Sequence, residues 1–195
     1  MSSTGCVQPI TKSQHADAKE ILERSETHLS PWVRVVSKAV RLEPGRRIEV
    51  YHCLSQSDSV AILARTQSGL IPIVRQYRPA VEAYTWELPS GLLQEKETPG
   101  EACRRELKEE TGLKAKRVRY IGSYYADTGR LEHWLHAFYV SASNPGSDFA
   151  PEPGLTVSFV SPRELRQHIR LGRFQYLHHI GVLTLASLKG IRWDG

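Results

Sequence analysis

The sequence predicts an α/β (α+β) fold in which a mixed β-sheet is covered by helices. Three observations carry that prediction. Short apolar or alternating runs of strand length dominate residues 32–161. One helix with full start and stop signals interrupts them between Thr98 and Gly112. Two helical stretches follow the last strand. The chain has 195 residues, 40% hydrophobic and 24% charged, enough for one globular domain with a sizeable core.

Taken in order, residues 14–27 read as a polar, irregular helix, and residues 1–30 as an appendage to a single domain over 31–195. Residues 32–42 are β-branched and partly alternating, so a strand. EPGRR (43–47) is a turn, and 48–54 alternates, which makes a hairpin with the preceding strand. Residues 59–65 and 70–78 are apolar strands joined by a short turn, and 81–91 is strand or extended chain. Strands at 117–126 and 132–142 flank the turn DTGR (127–130). A loop rich in Pro, Gly and Asp (143–154) leads to a strand at 155–161. Ser161 caps a helix that begins at Pro162 and ends at Gly172. Residues 174–190 form the last helix.

Bulk properties exclude some classes. No run of about 18 apolar residues exists, so no transmembrane helix is expected. The first residues contain no apolar core of a signal peptide. Cys6, Cys53 and Cys103 are few and widely spaced, which argues against a disulfide framework and for a cytoplasmic protein. The net charge of +5 suits an anionic partner. Arginine-rich pieces such as RQHIRLGR are scattered, so nucleic acid is disfavoured. His133 and His136, and the adjacent His178 and His179, do not share a face and are expected in core or at surface. No Ser-His-Asp arrangement is evident.

The central helix carries the strongest chemical signal. Thr98 and Glu101 form a capping box with Pro99 at the first helical position, and Gly112 ends the helix. At about 100° per residue, Glu106 and Glu110 share the side of Ala102, Cys103 and Leu107, while Arg104 and Lys108 point the opposite way. Stacked like charges weaken a helix by a few tenths of a kcal/mol, and an unpaired carboxylate at a buried edge costs more. Arg105 is spaced to pair with Glu109 alone. A hard divalent cation, which takes carboxylate oxygens, would neutralise the other two.

This stretch is similar to the Nudix box, G-x5-E-x7-R-E-U-x-E-E-x-G-U, with U a bulky aliphatic residue. Gly91, Glu97, Arg105, Glu106, Leu107, Glu109, Glu110, Gly112 and Leu113 fill every position. A chance match would be rarer than about one in 10⁷ chains. The resemblance covers roughly residues 30–190 and implies the Nudix fold, an α/β/α sandwich around a mixed sheet, here with an N-terminal β-hairpin extension. It implies Mg²⁺ or Mn²⁺ on Glu106 and Glu110, with the Ser90 carbonyl as a further ligand. Glu109 would ligate or orient water, and Arg105 would hold a glutamate in place.

Residues 74–92 look like the segment before the box in ADP-ribose pyrophosphatases and related nucleotide-sugar hydrolases. That implies cleavage of a nucleoside diphosphate sugar into a nucleoside monophosphate and a sugar phosphate. Arg78 would contact the phosphates or terminal ribose and Glu87 would lie near the metals; the alternatives are a strand-end cap and a buried ion-pair partner. In such relatives N-terminal strands pack across a homodimer, with aromatics on the adenine; Trp32 and Tyr51 hold those positions, or serve as core. Two departures stand out. Thr128 precedes Gly129 where Pro is common, and the 143–154 loop has only Asp148 and Glu152 as acids. Glu152 is the candidate general base or extra ligand, with Glu132 as fallback. A Nudix hydrolase of nucleoside triphosphates or dinucleotide polyphosphates, and a non-catalytic Nudix module, are the alternatives.

Overall fold

The computed structural model describes residues 20–41, 48–146 and 149–194. They fall into two compact units: one up to Gln56 together with Asp127–Glu132, the other made of Ser57–Ala126 and the chain from His133 onward.

The first unit is an antiparallel sheet in the order β1 (Glu20–His28), β2 (Arg34–Arg41), β3 (Glu49–Ser55). The β2–β3 pairing follows the expected hairpin; its turn at 43–47 lies outside the described residues. The helix expected over 14–27 is a strand where it is described. β1 is exposed along its whole length, so it needs no apolar stripe to bury, as a packed helix would. Its polar side chains instead pair across the ladder, Glu20 with Arg41 at 2.6 Å and Glu26 with Arg34 at 3.2 Å. The expected strand at 132–142 starts later, because Arg130 and Glu132 bond the main chain of Leu54 at 2.8 Å each. Residues 127–132 therefore continue the first sheet.

The second unit holds two sheets and three helices. β7 (Ser90–Leu92), β4 (Ser59–Arg65), β9 (Trp134–Ala142) and β8 (Ala115–Tyr125) lie side by side in that order. β4 and β9 are parallel and the other neighbours antiparallel, so this sheet is mixed. β10 (Thr156–Val160), β5 (Ile71–Arg78) and β6 (Ala83–Glu87) form an antiparallel sheet. The single extended run expected at 81–91 is thus two strands in two sheets. The break falls at Leu88–Pro89, where proline has no N–H for a ladder.

β4 is buried on both faces, as its unbroken apolar run requires. Val60, Ile62 and Ala64 pack with Ala102, Cys103 and Leu107 of α1 (Pro99–Thr111). Ala61 and Leu63 pack with Leu165 of α2 (Pro162–Arg170) and Val182, Leu183 and Ala186 of α3 (Leu177–Leu188). Helix, sheet and helix stack as an α/β/α sandwich. Cys103 is buried, and burial pushes its thiol up to about 12, so it is packing rather than chemistry.

Candidate active site

α1 starts as its sequence dictates. The Thr98 hydroxyl accepts the Glu101 N–H at 3.3 Å, and the Glu101 carboxylate accepts the Thr98 N–H at 2.9 Å. At the other end Gly112 takes φ +70° and donates its N–H to Lys108. Between these caps, Ala102, Cys103, Leu107 and Thr111 are buried, which sets the faces on which the glutamates stand.

Arg105 has a larger role than helical spacing suggests. Its guanidinium binds both oxygens of Glu97 at 2.7 Å, Glu106 at 2.6 Å, Glu109 at 3.0 Å and the Leu92 carbonyl at 3.1 Å. The expectation that it pairs with Glu109 alone is therefore corrected. The planar fork reaches back over the loop before the helix as well as along the helix. Those bonds hold the Glu97 carboxyl below the usual range.

Glu106 and Glu110 differ from the other carboxylates. Burial raises the pKa of Glu106, against the pull of Arg105. Glu110 is raised further, to about 8, by burial and then by the charge of Glu106. Its described hydrogen bond comes from the Ser90 N–H at 2.9 Å. Gly91 is next to Ser90, and a Cβ built there would lie 2.0 Å from Oε1 of Glu106. The absent side chain leaves the space in which that carboxylate sits. Carboxylates and main-chain oxygens are hard donors, the kind Mg²⁺ and Mn²⁺ take. Among the described residues no three His, Cys, Asp or Glu side chains already stand in metal-holding geometry; Glu106 leans on Arg105 and Glu110 on Ser90.

Beside this cluster, Arg78 grips Glu87 with two bonds, 2.8 Å and 2.5 Å, and Thr85 adds a third at 2.6 Å. Glu87 is 2% exposed. Burial alone would raise its pKa; the bonds from Arg78 and Thr85 outweigh it and lower it. Charge interactions link Glu110 to Glu106, Arg78 and Glu87. The structure thus gathers Ser90, Arg105, Glu106, Glu109 and Glu110, with Arg78 and Glu87 alongside.

Other candidates stand elsewhere. Glu152 is exposed before β10, and its carbonyl accepts the Leu155 N–H. Glu132 binds Lys38 at 3.0 Å and Arg24 at 3.4 Å within the first unit. Trp32 is 70% exposed; Tyr51 is 41% exposed, its hydroxyl donates to the Gly129 carbonyl and its ring faces Arg130. Both aromatics lie outside the core, against the packing alternative. Asp148 lies outside the described residues. A Ser-His-Asp chain hidden by sequence distance does exist. Ser123 Oγ is 2.6 Å from Nδ1 of His136, whose Nε2 is 3.4 Å from Asp58. The Tyr120 hydroxyl also bonds Ser123.

Comparison with known proteins identifies the family. A family model for the NUDIX domain matches residues 55–179. The ADP-ribose pyrophosphatase of Bacillus subtilis (strain 168) is 39% identical over 80 residues, 41% of this chain and 43% of that protein. The same-named protein of Mycobacterium tuberculosis is 42% identical over 73 residues, 37% of this chain and 35% of that protein. Each alignment spans less than half of the relative. CMP-5'-(N-acetyl-N-hydroxy-3-aminopropyl)phosphonate hydrolase of Streptomyces rubellomurinus is 26% identical over 171 residues, 85% of this chain and 81% of that protein. The crystal structure of an ADP compounds hydrolase superposes with a TM-score of 0.71 at 20% identity, covering 90% of this chain and 96% of that one, a likeness of fold. With the family model spanning well over half its length, the chain belongs to the Nudix family.

Proposed function

We propose that this protein hydrolyses the pyrophosphate bond of ADP-ribose or a related nucleoside diphosphate sugar, giving a nucleoside monophosphate and a sugar phosphate. One observation carries the reading. Glu106 and Glu110 are held half-buried, one against Arg105 and one against the Ser90 N–H, with raised pKa values that a divalent cation would reverse. Glu106, Glu110 and the Ser90 carbonyl are the groups we assign to Mg²⁺ or Mn²⁺, with Glu109 as a further ligand or water-orienting group. Such a cation, when bound, offsets diphosphate charge and lowers the pKa of water.

The remaining steps belong to the chain itself. Arg105 fixes Glu97, Glu106 and Glu109 relative to one another. Arg78, itself steadied by Glu87, offers a guanidinium to the substrate's phosphates or terminal ribose. Glu152 is the proposed general base, on the loop where relatives carry acids. Trp32 and Tyr51 are assigned to base stacking, across a homodimer, on the family resemblance. The relatives named as ADP-ribose pyrophosphatases support the substrate class. No helix among the described residues is long and apolar enough to cross a membrane, and a cytoplasmic enzyme is the accompanying proposal.

A substrate panel with Mg²⁺ and chromatographic product analysis tests this. Cleavage of ADP-ribose or a nucleotide sugar to two monophosphates is expected. If those substrates stay intact while nucleoside triphosphates or dinucleotide polyphosphates are cut, the departure at Thr128 marks a different specificity. Cleavage of nothing would favour a binding module.

A further inference from the structure

The chain passes from the β5–β6 sheet to the β4–β7 sheet through Leu88 and Pro89. Neither residue belongs to β6 or β7, the Leu88 N–H has no main-chain acceptor among the described residues, and Leu88 is fully buried. Four different elements hold the four residues at this crossing. Glu87 binds Arg78 at the end of β5. The Leu88 N–H donates to Nδ1 of His179 on α3 at 2.9 Å. The Pro89 carbonyl accepts the Ile62 N–H of β4 at 2.9 Å. The Ser90 N–H donates to Glu110 of α1. Proline has no N–H, so the crossing has two main-chain donors after Glu87, and each ends on a side chain.

We infer that His179 is a positioning residue for the catalytic cluster: it supplies the acceptor that the sheet ladder lacks at Leu88, and so sets where Glu87 and Ser90 stand. The inference rests on the function proposed above. His179 is suited to the task. It is 1% exposed, and the Tyr176 ring packs against it at 4.2 Å, so the imidazole has one orientation. Nδ1 accepts, which puts the proton on Nε2. Burial lowers its pKa to about 3, so that acceptor persists at neutral pH. Without it, a buried N–H would be left unpaired two residues from Ser90, and the main chain would move to find water.

The full-length protein is compared with His179→Asn and His179→Gln. Asn puts an amide oxygen close to the place of Nδ1; Gln puts the same group one bond farther out. The readouts are Mn²⁺ affinity by calorimetry, kcat and KM on the nucleotide sugar, and amide exchange at Leu88 and Ser90. In the Gln variant, exchange at both amides should quicken, while Mn²⁺ affinity and kcat should fall by about 10- to 100-fold. The Asn variant should recover most of each loss. A folded Gln variant with wild-type Mn²⁺ affinity and kcat overturns the inference. Should Gln not fold, the wild type decides: the NMR coupling between the Leu88 nitrogen and Nδ1 of His179 must be present, and its absence overturns the inference. A wild type that binds no Mn²⁺ and cuts no nucleotide sugar sinks the proposed function itself, and the inference with it. Normal wild-type activity with an unchanged Gln variant sinks the inference alone.

Discussion

Glu110 concentrates the conflict between stability and chemistry at a single carboxyl. Its pKa is about 8 in the fold and near 4.5 without it, so the metal-free folded state keeps a proton that the unfolded chain has released. The folded state binds more protons across that interval, and stability falls as pH rises from about 4.5 to 8. Gln cannot ionise, yet its amide oxygen can still accept the Ser90 N–H. Glu110→Gln should therefore raise the melting temperature of the metal-free protein at pH 8, by up to a few kcal/mol of stability. The same change should lower kcat by about a hundredfold or more, since a ligand charge is lost. Calorimetric melts and steady-state kinetics on one preparation check both. An active variant would remove Glu110 from the metal site. His179 shows the reverse habit: no motif marks it, because its partner Leu88 is 91 residues away.

At the scale of elements, α1 and the short β7 beside it separate structural from chemical roles. Gly91 is flanked by the Glu106 carboxylate, which a Cβ would meet at 2.0 Å. That carboxylate is the far end of a flexible side chain, so it can swing away and the fold survives. Gly91→Ala is expected to cost little stability while lowering kcat by about tenfold or more, because a misplaced group loses its alignment. Thr98→Ala is the mirror case. It removes the cap at the start of α1 and should cost about 1 kcal/mol with kcat nearly unchanged. Denaturant melts beside kinetics separate the two, and equal behaviour of both variants would refute the distinction.

At the scale of the whole molecule, the buried His179 contributes a share of stability that acid removes. The folded state holds it neutral down to about pH 3, while the unfolded chain takes up a proton near 6.5. Above that value the group contributes nothing; as pH falls through it, the unfolded state gains protons and stability is lost. The loss is up to about 1.4 kcal/mol per pH unit. Glu110 gains stability over the same interval, so the variant is compared with the wild type: in denaturant titrations at pH 7 and pH 5, His179→Asn should gain stability on acidification relative to the wild type. An unchanged pH slope in that variant would place the acid sensitivity elsewhere.

By itself the sequence determined the parts whose causes are local. The α1 caps, the glutamate spacing, the β2–β3 hairpin and the doubly buried β4 all follow from residues within a few positions of one another. So did the Nudix box, and with it the family. Tertiary structure alone decided the parts that depend on distant partners. The polar run at 20–28 became a strand because β2 offered an edge and matching arginines. The run at 81–91 split because two sheets claimed its halves. Arg105 reached Glu97 as well as its helix neighbours Glu106 and Glu109 because the loop before α1 folds back beside it. Glu87 became the partner of Arg78, and His179 the acceptor for Leu88, because burial leaves no charge or donor unpaired without cost. Periodicity reports which way a side chain faces; which group it meets there is settled only when separate elements pack.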